Sequence, residues 1–159
     1  MSTMIPIICT VLCGLTLVTA AVTDVSNRRI PNFLTLPSIV LGLILNAFQP
    51  SFLHLLLTIV VLFLVGMLGV LGGGDIKLLM SVTAFMGVMP MLWSVGIASV
   101  SIILLELIRH PKQTILSVRT GLSWFAGKGK PKEQGRRVPF APYLLFGFAV
   151  WLTLNLLIG

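Results

Sequence analysis

Apolar residues run through this chain in six long stretches, roughly 5–23, 33–48, 52–71, 76–89, 91–108 and 140–158. Between them lie breaks bearing glycine, proline or charge, all short except 109–139. Crossing ~30 Å of hydrocarbon at ~1.5 Å per residue takes about 20 apolar residues, so each stretch is a candidate spanning helix. The second and fourth are short and must stand nearly upright or extend into neighbouring turns. Backbone groups in lipid need partners within their own segment, which selects helices over open strands. The predicted fold is therefore all-α, a polytopic membrane protein of about six transmembrane helices, with residues 1–159 forming one integral-membrane domain.

Composition agrees with that reading. The chain is 57% hydrophobic and 9% charged, with a mean hydropathy of +1.07, which excludes an ordinary soluble domain. Its eleven basic residues fall in three places: Arg28 and Arg29, Lys77, and the segment from Arg109 to Arg137. These are the connections after the first, third and fifth stretches. The connections around Gln49-Pro50-Ser51 and Gly87–Pro90 carry no charge. Such alternation places the basic connections in the cytoplasm and both termini on the outer, periplasmic side. The net charge of +7 then reflects topology and attraction to membrane lipids. No basic surface with interleaved aromatics points to nucleic acid as a partner.

The first stretch resembles a signal peptide only superficially, because its positive charge follows the apolar run. It is expected to remain as an anchor. Cys9 and Cys13 lie within it at i, i+4 spacing, which is neither CxxC nor a zinc ligand set, and are expected to be buried thiols. No metal or cofactor is expected. Within the cytoplasmic loop 109–138, Ile115, Val118, Leu122 and Phe125 fall on one face of a possible interfacial helix over 113–126. Glu106 and Arg109 are spaced as an i, i+3 pair.

Four carboxylates are present, and Asp24 and Asp75 are the only aspartates. The topology puts Asp24 at the cytoplasmic end of the first helix and Asp75 at the cytoplasmic start of the fourth. A carboxylate beside hydrocarbon is costly and by default marks function. Each has a plain alternative: Asp75 could cap a helix N-terminus, and Asp24 could be an ordinary interfacial residue. Gly72, Gly73 and Gly74 lack side chains and are free to take positive φ, so another backbone could approach closely. Pro31 pushes Ile30 out of the helical region, Asn32 is placed to cap the second helix, and Lys77 reads as a snorkelling anchor.

The paired segments Asp24-Val25-Ser26-Asn27-Arg28-Arg29-Ile30-Pro31-Asn32 and Gly72-Gly73-Gly74-Asp75-Ile76-Lys77-Leu78-Leu79 resemble the signature of the type IV prepilin peptidases. These are intramembrane aspartic peptidases of the GxGD type. Val138-Pro139-Phe140-Ala141-Pro142-Tyr143 is similar to the family's proline-aromatic stretch before the last span. The resemblance implies that Asp24 and Asp75 are catalytic, with Gly72, Gly73, Gly74, Pro31 and Asn32 shaping the site. It also implies a prepilin or pseudopilin precursor as protein substrate. The short basic leader would be removed at the cytoplasmic face of the bacterial inner membrane. Long members carry an inserted CxxC region linked to N-methylation. Lacking it, this chain resembles the short members that serve Flp (tight-adherence) pili. Two carboxylates can activate water and protonate the leaving groups if one holds a proton. The rival readings are a proton- or cation-coupled transporter using the two aspartates as ion sites, and a scaffold subunit of a secretion machine.

Overall fold

The computed structural model describes residues 4–67, 72–109 and 139–158. Every element among them is a helix: α1 (Met4–Asn27), α2 (Asn32–Asn46), α3 (Phe52–Met67), α4 (Gly73–Met86), α5 (Val88–Arg109) and α6 (Ala141–Ile158). The possible interfacial helix at 113–126, like His110, lies outside the described residues. The chain divides into two compact units, one of residues 1–98 with 139–159 and the other of residues 99–138. In the second unit only the end of α5 is described. Glu106 and Arg109 do not pair there, since no ion pair occurs among the described residues.

The first unit is built around α4. Ile76 and the run Leu78–Phe85 are buried, so α4 is covered on every side, as a helix apolar all round should be. It packs against α1, α2 and α3, while α1 also packs against α2 and α6. Size, more than polarity, sorts the faces of α1. Cys9, Cys13, Leu17, Ala20 and Asp24 form its buried stripe, whereas Ile7, Val11, Leu15, Val18, Val22 and Val25 point outward. Small residues inside let helices approach closely in a membrane, where apolar side chains gain nothing by avoiding lipid. Both cysteines are buried free thiols, as expected.

Two helices, Ile5–Asn27 and Val88–Arg109, are long and apolar enough to cross a membrane; α2, α3 and α6 are apolar but shorter. Their apolar windows are only 33% and 17% buried, far less than the core helix of a soluble protein. Such broad apolar exposure suits hydrocarbon as the solvent.

Two boundaries differ from expectation and move the aspartates. Nothing breaks α1 at residue 23, so it continues to Asn27 and Asp24 sits inside its last turn. Arg28 ends it in the left-handed region at φ 50°, donating its N–H to the Asp24 carbonyl at 2.9 Å. This is the single-bond left-handed cap that glycine usually makes, here carrying about 1–2 kcal/mol of steric cost. At the other site α4 begins at Gly73, before the apolar run, so Asp75 lies in its first turn.

Candidate active site

The last turn of α1 and the first turns of α2, α4 and α6 meet at one end of the first unit. Asp24 is buried there at 8% exposure. Its Oδ2 accepts a hydrogen bond of 3.1 Å from the backbone N–H of Ala141, the first residue of α6. A helix N-terminus presents unpaired N–H groups and positive charge, so α6 supplies what a buried carboxylate needs.

Asp75 is half-buried in the first turn of α4, ahead of the apolar run that begins at Ile76. Its carboxyl is pushed up to about 6, first by burial and then by the nearby charge of Asp24. Asp75 is not a helix cap: Gly72 holds the N-cap position and no side chain bonds there.

The glycines act differently from expectation. None of the three has positive φ; among the described residues only Gly87 and Arg28 do. Gly72 is extended at φ −60° and ψ 134°. Its value is space, since a Cβ there would stand 2.8 Å from Asp75 Oδ2. Gly74 lets Ile30 pack against α4, with a Cβ at position 74 only 3.4 Å from the Ile30 Cβ. Gly73 faces open space, with nothing within 4 Å of a Cβ. Among the described residues, Gly72 and Gly73 thus put no side chain of their own beside Asp75.

Asn32 and Lys77 also have other roles than expected. Pro31 occupies the N-cap of α2 with extended backbone, φ −70° and ψ 136°, and no side chain caps the helix. Asn32 therefore falls inside α2, leaving its amide oxygen to accept a 2.8 Å bond from Lys77 Nζ. Lys77 is a tie between α4 and α2 rather than a free anchor. Together with Ile30 on Gly74, it fixes the α1–α2 corner against the start of α4. Replacing Asn32 with Ala or Lys77 with Met is expected to cost about 0.5–1.5 kcal/mol each. The double variant should cost little more than either, read from thermal unfolding in detergent.

The Ala141 amide was not singled out from the sequence, because a backbone donor leaves no residue-type signature. Its only trace is Pro142, which lacks an N–H and so thins the donors at that helix end. An open apolar groove of about 320 Å³, lined by Ala21, Val22, Val25, Ser26 and Pro142, runs beside this site. His54 is exposed at the start of α3. The neighbouring Ser51 and Leu55 line a second cavity with Ile5 and Gly87, at the end away from Asp24. No set of three His, Cys, Asp or Glu side chains arranged to hold a metal occurs among the described residues.

A family model described as the type IV leader peptidase family matches residues 11–107, more than half of the chain. The chain belongs to the type IV leader peptidase family. The match spans both Asp24 and Asp75 and stops before α6. No curated protein and no solved structure matches the chain. Membership makes the protein a hydrolase of the protease class, and with its apolar helices it marks a membrane protein. Nothing found supports a transporter.

Proposed function

We propose that this protein is an aspartic endopeptidase that removes the basic leader from Flp-type prepilins at the cytoplasmic face of the inner membrane. Residues 1–159 act as one peptidase domain in this reading. The observation that carries it is the placing of a buried Asp24 in the last turn of α1 and of Asp75 in the first turn of α4, within a chain of the leader peptidase family. Arg28, Arg29 and Lys77 cluster by sequence at that same end, which favours the cytoplasmic side. The six helices are then six spans, with both termini outside.

The chemistry needs a pair of carboxyls sharing one proton. Water gives a proton to the ionised carboxylate as its oxygen bonds to the scissile carbonyl carbon. The protonated carboxyl gives its proton to the carbonyl oxygen, forming a neutral diol. On collapse the C–N bond breaks and the first carboxyl protonates the departing nitrogen. A diol proton then returns to the second. Both side chains end as they began, and no covalent intermediate forms. Gly72 and Gly73 leave room for an extended substrate backbone at Asp75. The groove along Ala21, Val22, Val25 and Pro142 suits the apolar helix of the pilin.

A shared proton fixes the direction of the pH dependence. The pair is active while it retains one proton, and the raised Asp75 value sets where that proton leaves. Cleavage measured as kcat/KM should fall as pH rises through about 6. A rate flat from pH 5 to about 8 would argue against proton sharing. The function itself is tested by co-expressing the chain with an Flp-type pilin precursor. The precursor should shorten by its leader, and persistence at full length would refute the assignment.

A further inference from the structure

We propose that the first amide of α6 divides the labour of the pair: Asp24, held by Ala141 N–H, stays ionised and accepts the proton from water, while Asp75 carries the shared proton. The proposal rests on the peptidase reading for its catalytic meaning, but its physical content stands on the geometry of the site.

The start of α6 is arranged to leave one donor for Asp24. The Phe140 carbonyl accepts the amides of both Tyr143 and Leu144, each at 3.1 Å. Pro142 has no amide hydrogen. Ala141 N–H is thus the one amide of the first three α6 residues not given to Phe140, and it goes to Asp24 Oδ2. Ala141 is fully buried, so water does not compete for that bond. A charge-assisted bond at a helix N-terminus favours the ionised carboxylate.

Asp75 receives no comparable help. It also lies in a first turn, that of α4, yet no described residue donates a hydrogen bond to its carboxyl. The cation nearest in sequence, Lys77, is turned to Asn32 Oδ1. Neither Arg28 nor Arg29, both exposed on the α1 side, forms an ion pair with either aspartate. The described part of α2 contributes no titratable group, α3 contributes only the distant His54, and α6 contributes the Tyr143 phenol two residues beyond Ala141. Of the two carboxyls, the one without a donor keeps the proton. Ala141 is in these terms a positioning residue acting through its backbone.

The composition makes the test direct, because the chain contains only two aspartates. The full-length protein, labelled with ¹³Cγ-aspartate and held in detergent micelles, gives two carboxyl signals, assigned with Asp24→Asn and Asp75→Asn. The Asp75 signal should move at a pH at least about one unit above the Asp24 signal. A reversed order, or one common step for both, would overturn the proposal. Ala141→Pro removes the amide at a helix position that tolerates proline and should narrow the gap by about one pH unit. Ala141→Gly retains the amide and should preserve the gap. An unchanged gap in folded Ala141→Pro would also overturn it. If that variant does not fold, the wild-type order alone decides. No substrate enters the titration, so a failed cleavage assay would count against the peptidase reading and leave this result untouched.

Discussion

Asp24→Asn and Asp75→Asn are each expected to lower prepilin cleavage by about 10²–10⁴-fold, the range that positioned acid–base groups contribute. Both variants should still accumulate in the membrane. An asparagine at 24 retains an oxygen able to accept the Ala141 amide, so the bond of 3.1 Å that links α1 to α6 need not be lost. Asp75 is half-buried and receives no hydrogen bond from a described residue, so its amide replacement leaves no donor stranded. The loss should therefore appear in turnover, with protein level and unfolding temperature nearly unchanged. The ratio of precursor to mature pilin in membranes reads it out. A variant that still processes most of its precursor would remove that aspartate from the mechanism.

The largest structural effect is expected at Gly42, far from that chemistry. A Cβ at this position would stand 2.7 Å from the Ala84 carbonyl carbon and 2.8 Å from its Cβ. Backbone does not give way as a side-chain tip does, so α2 and α4 would have to separate. One turn later Asn46 Nδ2 donates to the carbonyls of Ala84 at 2.9 Å and Phe85 at 3.3 Å. These carbonyls close the C-terminal end of α4, where no intrahelical donor remains. Separation would break that cap as well. Gly42→Ala is expected to cost about 1–3 kcal/mol from overpacking, seen as a lower unfolding temperature. Gly42→Leu should leave no folded protein on a sizing column in detergent. Normal yield and unfolding temperature in both would show that the α2–α4 crossing is looser than described.

Much of this architecture is legible in the sequence, because hydropathy responds to the demand that dominates in lipid. Each apolar stretch became a helix, with ends shifted by a few residues where turns such as Gly72–Gly74 and Asn27–Arg28 were absorbed or capped. Hydropathy does not tell which face of α1 looks inward, since both faces are apolar. Side-chain size carries that information: Cys9, Cys13, Ala20 and Asp24 lie inside, with Val18, Val22 and Val25 outside. The Gly42 and Gly147 contacts were hidden for a related reason. A Cβ at Gly147 would overlap the Ser94 carbonyl oxygen, yet a glycine within an apolar run gives no sign of the backbone it faces.

The sequence singles out Asp24 and Asp75 as candidates and is silent on what holds them. Charge alternation alone put Asp24 and Asp75 at one end. The bonds that position them join residues far apart in sequence, Lys77 to Asn32 and Ala141 to Asp24. The second uses a main-chain donor that every residue except proline possesses. The glycine motif shows the same limit. Its residue types announced a need for small side chains, and only geometry separated positive φ from room for the Asp75 carboxyl.

The central claim is that this leader peptidase family member cuts a pilin leader with two aspartates. It is tested most directly by mixing the purified full chain in detergent with an Flp-type precursor and measuring product masses, with a chelator present. The account predicts one cut at the leader boundary by the wild-type protein and none by Asp24→Asn or Asp75→Asn. An intact precursor with the wild type, undiminished cleavage by either variant, or activity abolished by the chelator would contradict it.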